Sequence, residues 1–277
     1  MGARGAVGLL AGEGRLPELL AHGVLAQGRL LVCVQMVGES ALLPTLADVF
    51  VRLAPGEWGQ LFGLWQHHGV REVLVAGRFN RADLPVRLGT GDPLAQAFFE
   101  QLPDRRDQHF LAAFAGLLEQ RGMRVADQLD YVGDLLPALG PLAGPPLSVD
   151  EERDVTLGIT IARALAAHDV GQTVVLKRGV ILAVEAAEGT DATIRRGGEM
   201  AAGVVVVKVS RPDQDPRFDV PTVGLETIQV MAEVQARVLA IEARRTIVLD
   251  RKELIAGAEA AGITVIAVEA PPLRRAS

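Results

Sequence analysis

Short apolar runs without polar alternation recur through the first half of the chain. Residues 7–10, 30–37 and 72–76 form such runs, and residues 17–27, 59–68 and 107–120 carry helical spacing. Uninterrupted apolar strands are typical of a parallel sheet that is covered by helices on both faces. The pattern therefore predicts an α/β fold whose N-terminal domain is a Rossmann-like parallel sheet.

The pattern changes in the middle of the chain. Residues 137–148 hold four prolines and two glycines, which exclude a helix and predict an extended linker. Beyond the linker, Ser148 is a candidate N-cap for a helix over 150–167. Further strands are expected over 173–177, 180–185, 204–209, 246–249 and 264–268, and helices over 224–234 and 252–261. We therefore expect a first domain over 1–136, a Pro/Gly-rich linker over 137–148 and a distinct α/β C-terminal domain over 149–277.

Composition and charge narrow the class of protein. A chain of 277 residues exceeds the usual size of one domain. The single cysteine, Cys33, lies inside an apolar run and is expected to be a buried structural thiol. A net charge of -6 without a basic stretch argues against nucleic acid as a partner. Without a membrane-spanning apolar stretch, we expect a cytoplasmic protein, and leave peripheral contact with the inner face of the membrane and a homodimer open.

A glycine turn follows the first predicted strand. Gly12, Gly14 and Leu16 lie between that strand and the first helix, where backbone N–H groups can hold a phosphate. The third glycine of the dinucleotide fingerprint is replaced by Pro17. A tight turn, an NAD site and a seat for a nucleotide phosphate are all compatible with this motif. Gly77 and Arg78 end a later strand and could clamp a phosphate, although a solvated arginine is the simpler interpretation.

Two acidic turns in the second half suggest a metal and phosphate site. Residues 188–191 (Glu-Gly-Thr-Asp) follow an apolar run, and Asp219 opens the sequence Asp-Val-Pro-Thr at 219–222. Carboxylates suit Mg²⁺ or Mn²⁺, which usually takes only one or two of them from protein. Helix capping by Thr190 or Asp191 and a plain turn at Asp219 are the simpler alternatives. Positive charge for a phosphate could come from Lys208, Arg211 and Arg217.

An ordered series of motifs in the second half resembles a known family. The series comprises residues 169–172, 184–192, 207–209, 214–215 with Arg217, 219–224 and 246–251. It closely resembles the UDP-2,3-diacylglucosamine pyrophosphatase family of lipid A biosynthesis. The first half is similar more loosely, through residues 12–17 and 75–78 and the segment near Asp107.

The resemblance implies a reaction and a set of site residues. The family hydrolyses the diphosphate of UDP-2,3-diacylglucosamine, a nucleotide-sugar lipid, to UMP and 2,3-diacylglucosamine 1-phosphate with a divalent cation, Mg²⁺ or Mn²⁺. Its essential aspartate corresponds to Asp219. The catalytic residues we expect are Asp219, Asp191, Glu188 and Lys208, of which Asp219 and Asp191 would bind the metal. The substrate-binding residues we expect are Gly12, Gly14, Leu16, Gly77, Arg78, Gln172, Thr190, Gln214, Arg217 and Thr222.

Two other classes of protein stay open at this point. A non-catalytic nucleotide-sugar binding or regulatory protein would keep the pocket without turnover. An NAD-linked oxidoreductase is suggested only by the glycine turn.

Overall fold

The computed structural model of the chain describes residues 5–79, 91–103, 107–211, 215–218 and 220–270. The chain divides into two compact units. The first unit comprises residues 1–133 together with 216–219, and the second comprises residues 134–215 and 220–277. A short segment from the second half of the sequence therefore belongs to the first unit.

The first unit is built on a parallel sheet. Its described strands are β1 (Val7–Ala11), β2 (Leu31–Gln35), β3 (Val49–Arg52), β4 (Glu72–Ala76) and β5 (Arg124–Val125). They form a five-stranded sheet in the order β3-β2-β1-β4-β5, and each described pair is parallel. The described helices are α1 (Leu16–Ala26), α2 (Leu43–Leu46), α3 (Trp58–His67), α4 (Pro93–Glu100), α5 (Asp107–Glu119) and α6 (Leu129–Val132).

Both faces of this sheet are covered. On one face Leu10, Val34 and Val75 pack against residues of α3, α4 and α5 in a core that includes Trp65. On the other face α1 contacts β1, β2 and β4, and Cys33 is fully buried. The uninterrupted apolar strands are explained by this arrangement, which confirms the predicted Rossmann-like parallel sheet and the buried thiol.

The second unit is built on a separate, mixed sheet. Its described strands are β6 (Gly140–Ala143), β7 (Thr173–Lys177), β8 (Val180–Val184), β9 (Val205–Lys208), β10 (Thr222–Val223), β11 (Val238–Glu242), β12 (Ile247–Val248) and β13 (Thr264–Val268). The larger sheet has the order β6-β13-β11-β9-β7-β8, with β9, β11 and β13 parallel and the other pairs antiparallel. β10 and β12 form a small parallel pair. The described helices are α7 (Val149–Ala167), α8 (Thr190–Gly198), α9 (Leu225–Glu233) and α10 (Arg251–Ala260). The prediction of a distinct α/β C-terminal domain is confirmed.

Helix α7 begins where the sequence predicts. Ser148 is its N-cap, and Ser148 and Glu151 form a capping box in which each side chain accepts from the other residue's backbone N–H. One face of α7 packs against β7 and β9 through Val155, Ile159 and Ala162. Helices α8, α9 and α10 cover the opposite face of the sheet.

The segment expected to be a linker lies within the second unit. Residues 137–148 include β6, which pairs antiparallel with β13 at the edge of the sheet. Pro141 is compatible with this position because an edge strand need not donate a hydrogen bond on both sides. The units divide after Gly133, a few residues before the expected boundary at 136.

Among the described residues, none of the helices has both the length and the apolar content needed to cross a bilayer.

Candidate functional site

The glycine turn after β1 and the turn after β4 lie against each other. Glu13 N donates to Arg78 O at 3.0 Å, and Arg78 N donates to Glu13 O at 2.8 Å. A Cβ atom on Gly12 would lie 2.6 Å from Arg78 O. Gly77 has a φ of 93°, and a Cβ there would lie 2.7 Å from the carbonyl carbon of Gly12. The close approach of the two backbones therefore requires glycine at both positions.

This pair of turns lies at the switch point of the parallel sheet. β1 pairs with β2 on one side and with β4 on the other, so successive strands are added in opposite directions from β1. Open α/β sheets bind ligands at the carboxyl edge at such a point. Gly14 and Arg78 are exposed there, and Leu16 begins α1. The structure thus brings together the residues predicted for this turn, namely Gly12, Gly14, Leu16, Gly77 and Arg78.

A polar network occupies the end of β9 in the second unit. Lys208 Nζ donates to Thr190 Oγ1 at 3.2 Å and to Thr222 O at 2.9 Å. Thr190 Oγ1 in turn donates to Glu185 Oε1 at 2.9 Å and lies 3.4 Å from Thr173 Oγ1. An ammonium group is therefore connected to a carboxylate through one threonine hydroxyl. Three predicted residues, Lys208, Thr190 and Thr222, belong to this network.

The network lies at the beginning of helix α8. Gly189 is the N-cap residue, with a φ of 85°, and no described side chain caps the first turn. The first N–H groups of a helix attract anions, and uncapped ones are available to bind them. The Lys208 ammonium and these N–H groups therefore provide full and partial positive charge at the start of α8.

The loop before β7 also contacts Glu185, through Gly171 and Gln172. A Cβ atom on Gly171 would lie 2.1 Å from Glu185 O, so only glycine allows this loop to approach β8. Gln172 N donates to Glu185 Oε2 at 3.2 Å. With its amide oriented to satisfy both neighbours, the Gln172 side chain donates to Val209 O at 3.1 Å and accepts from Arg211 Nε at 3.2 Å. The predicted binding residue Gln172 therefore links the Glu185 loop to the end of β9.

Glu188 and Asp191 are placed differently from Glu185. Glu188 is exposed, and its carboxylate accepts from Arg196 Nη2 at 2.5 Å and from Thr193 Oγ1 at 3.3 Å. The pKa of Glu188 is lowered by a hydrogen bond from its own backbone N–H and by the Arg196 guanidinium. Asp191 is exposed in the first turn of α8. The structure pairs Glu188 with Arg196 along α8 and leaves Asp191 accessible.

The predicted residues that follow β9 are only partly described. Arg217 lies with its guanidinium carbon 5.4 Å from the centroid of the Phe218 ring, and both belong to the first unit. Gln214 and Asp219 lie outside the described residues.

The described residues test the predicted metal site only in part. They contain no group of three or more His, Cys, Asp or Glu side chains that could hold a metal ion. Mg²⁺ often takes just one or two carboxylates from protein, and Asp219, one of the two predicted ligands, is not described. Asp191, the other, is exposed at a helix start. The divalent cation therefore stays a prediction.

Two members of the Lys208 network were not predicted as site residues. Glu185 and Thr173 are joined by the hydrogen bond from Glu185 N to Thr173 O at 2.9 Å. The signal that could have found them is the tight Arg178-Gly179 turn, because the length of a hairpin turn fixes which residues of its strands face each other.

Comparisons with known proteins agree with the predicted family. Two family profiles match the chain, the LpxI N-terminal domain over residues 6–135 and the LpxI C-terminal domain over residues 138–266. A curated relative, UDP-2,3-diacylglucosamine pyrophosphatase LpxI of Caulobacter vibrioides, is 29% identical over 278 residues, which cover 95% of this chain and 97% of the relative.

A solved structure, glycinamide-RNase-transformylase T from Mycobacterium tuberculosis, aligns at 19% identity with a TM-score of 0.25. That alignment covers 66% of this chain and 44% of the other, so this chain spans less than half of that structure. The two family profiles, by contrast, match successive parts of the chain and together leave few residues unmatched. The chain therefore belongs to the LpxI family, as the sequence motifs predicted.

Proposed function

We propose that this protein hydrolyses the diphosphate of UDP-2,3-diacylglucosamine to UMP and 2,3-diacylglucosamine 1-phosphate, with a divalent cation. The relative from Caulobacter vibrioides has this substrate and a pyrophosphatase activity in its name. Within this chain, the main support is the Lys208 ammonium beside Thr190 at the start of α8. An ammonium and the N-terminal N–H groups of a helix both stabilise phosphate charge.

Each residue of the proposed site has a role that its chemistry suits. Lys208 would stabilise the negative charge that develops on the phosphate oxygens as the diphosphate is cleaved. Arg217 would bind the diphosphate through its guanidinium group. Gln172, Thr190, Gln214 and Thr222 would position the substrate. The nucleotide would contact the turn residues Gly12, Gly14, Leu16, Gly77 and Arg78, where open sheets bind ligands.

Asp219 and Asp191 would hold the cation. A bound Mg²⁺ or Mn²⁺ would supply Lewis acidity toward the diphosphate and the attacking water. Asp191 is accessible to a cation in the first turn of α8. The catalytic role that the sequence predicts for Glu188 is not used in this proposal, because its carboxylate is paired with Arg196 in the structure.

The test is release of UMP from UDP-2,3-diacylglucosamine with and without added Mg²⁺ or Mn²⁺. Asp219→Ala is expected to abolish release. Lys208→Met should lower kcat/KM by roughly 100-fold, the usual loss when one electrostatic stabiliser of the transition state is removed. Lys177→Met is the matched control, because Lys177 lies on the neighbouring strand β7 and donates to Gly203 O. The control should keep wild-type turnover.

The same assay separates the alternatives. Binding of the substrate without UMP release would identify a non-catalytic nucleotide-sugar binding protein. Saturable binding of a nicotinamide dinucleotide in a direct titration would favour the oxidoreductase. Equal losses in Lys208→Met and Lys177→Met would remove Lys208 from the site.

An acylated substrate also has consequences for location. Its acyl chains partition into a membrane, so we propose that the protein works in the cytoplasm and contacts the inner face of the membrane peripherally. Co-sedimentation with anionic vesicles that contain the substrate would test this contact. A homodimer stays a prediction that sedimentation equilibrium would check.

A further inference from the structure

One segment of the second half of the chain is held by a single buried glutamine of the first unit. Gln128 N donates to Pro216 O at 3.2 Å, and Gln128 Nε2 lies 3.4 Å from Arg217 O. Nε2 also donates to Val75 O at 2.7 Å. Since Val75 belongs to β4, Gln128 links residues 216–217 to the strand that leads into the Gly77-Arg78 turn.

The aromatic residue that follows strengthens this attachment. Phe218 is partly buried and packs against the same core as Val75. The guanidinium of Arg217 lies over the Phe218 ring, a favourable arrangement for a cation. Residues 216–218 are therefore held through their backbone by Gln128 and through one side chain by the core.

Gln128 is an unusual residue to find at such a position. Its side chain is fully buried, and among the described residues its Oε1 atom has no hydrogen-bond partner. A buried amide whose oxygen is unpaired is costly, and the bonds from its N–H groups to Val75 O and Arg217 O offset that cost. The chemical feature that distinguishes Gln128 from an apolar side chain at this position is therefore its ability to hold β4 and the 216–217 segment together.

We propose that Gln128 is a positioning residue for the reaction. It holds the Pro216 and Arg217 carbonyls beside β4 and thereby fixes the direction of the Arg217 guanidinium, which the proposed function assigns to the diphosphate. The inference rests on that proposed function. It adds a residue that contacts no substrate and acts through the backbone of Arg217.

The experiment compares Gln128→Leu with Tyr131→Phe in the full-length protein. Tyr131 is the matched control because it is also a buried polar residue of the first unit, and its hydroxyl contacts Arg29 and Glu72 at the start of β4. Gln128→Leu should lower kcat/KM for UMP release about 10- to 100-fold, since small displacements of a binding group have effects of this size. Tyr131→Phe should lower the thermal unfolding midpoint while turnover stays within about twofold of wild type.

A double-mutant cycle identifies the route of the effect. If Gln128 acts through Arg217, Gln128→Leu should have little further effect in an Arg217→Ala background. Additive losses of kcat/KM in the double variant would overturn the proposal. It would also be overturned if the loss of turnover in both Gln128→Leu and Tyr131→Phe followed the loss of thermal stability of each variant. If Gln128→Leu fails to fold, Phe218→Leu loosens the same segment and is subject to the same comparisons.

Amide hydrogen exchange gives a readout that needs no substrate. Gln128→Leu should accelerate exchange in peptides that cover residues 215–222, and Tyr131→Phe should not. Unchanged exchange in Gln128→Leu would overturn the inference even if the enzyme is active. If Gln128→Leu accelerates exchange but the wild-type protein releases no UMP, Gln128 is still the residue that holds this segment. That combination of results would overturn the proposed function instead.

Discussion

At the scale of single residues, Glu185 and Glu188 differ in what their carboxylates do. Glu185 accepts from Thr190 Oγ1 and from Gln172 N, within the network that includes Lys208. Glu188 accepts from Arg196 at the surface of α8. The sequence pattern favours Glu188, which follows the strand expected over 180–185, whereas Glu185 falls inside that expected strand. Only the pairing of β7 with β8 decides which of them lies beside Thr190.

This difference predicts unequal effects of removing the two charges. Glu185→Gln should lower kcat/KM for UMP release about tenfold, because one charge-assisted hydrogen bond that orients Thr190 and Lys208 is weakened. Glu188→Gln should change kcat/KM by less than about twofold, since an exposed ion pair contributes little. Initial rates of both variants under identical conditions make the comparison. An equal or larger loss in Glu188→Gln would support the catalytic role predicted for Glu188 from the sequence.

Cys33 allows a second prediction at this scale. Its side chain is fully buried in β2, and burial raises the pKa of the thiol to about 12. The reactive thiolate is therefore scarce at neutral pH and inaccessible. We expect no reaction with a thiol-specific disulfide reagent in the native protein at pH 8 and stoichiometric reaction in denaturant. Rapid modification of the native protein would contradict the burial of Cys33.

At the scale of elements, most of the regular structure follows from local patterns, and two of the exceptions, β11 and β6, have identifiable causes. The central strand β11 (Val238–Glu242) was not predicted, because no glycine or proline separates it from α9. The chain turns there at Gln235, a non-glycine residue with a φ of 52°. Strand β6 was missed because the four prolines and two glycines of residues 137–148 suggested a linker, whereas an edge strand accommodates a proline such as Pro141. Local signals fail where a turn or strand is imposed by tertiary contacts.

The β7–β8 hairpin depends on a buried carboxylate of α7. Asp154 is 3% exposed, and it accepts from Arg178 N at 2.7 Å and from Gly179 N at 2.6 Å. Asp154→Asn should lower the free energy of unfolding by about 1–3 kcal/mol, because the amide group cannot accept both bonds. Glu259→Gln, an exposed change on α10, should stay within about 0.5 kcal/mol of wild type. Urea denaturation monitored by far-UV circular dichroism measures the free energy of unfolding of both variants. Equal urea midpoints for the two variants would contradict the role of Asp154.

At the scale of the whole molecule, the membership of residues 216–218 in the first unit could not be predicted from the sequence. Most strands of both sheets follow from hydrophobic periodicity, but this segment has no periodicity of its own. Its attachment depends on Gln128, which lies 89 positions from Arg217 along the chain. The glycine turns and Lys208 could be predicted as candidates because their chemistry is local. Gln128 and Glu185 were missed because contacts with other segments define them.

The separation between Gln128 and Arg217 implies that unfolding of one unit affects the other. When the second unit is unfolded, attaching residues 216–218 to the first unit must close a loop of 89 positions, which costs roughly 4 kcal/mol. The contact itself contributes about 3 kcal/mol, from two hydrogen bonds and the partial burial of Phe218. The cost of loop closure exceeds this gain, so residues 216–218 should detach once the second unit unfolds. The first unit would then lose the stabilisation that this contact provides.

Tryptophan fluorescence can detect this loss. The chain has two tryptophans, and both, Trp58 and Trp65, lie in the core of the first unit. In Asp154→Asn, which weakens only the hairpin of the second unit, circular dichroism should report loss of that unit at lower urea than in wild type. The fluorescence midpoint should then fall as well, although the substitution is in the second unit and both tryptophans are in the first. If the fluorescence midpoint stays at its wild-type value after the second unit has unfolded, residues 216–218 do not stabilise the first unit. The same result would remove the physical basis for a positioning role of Gln128.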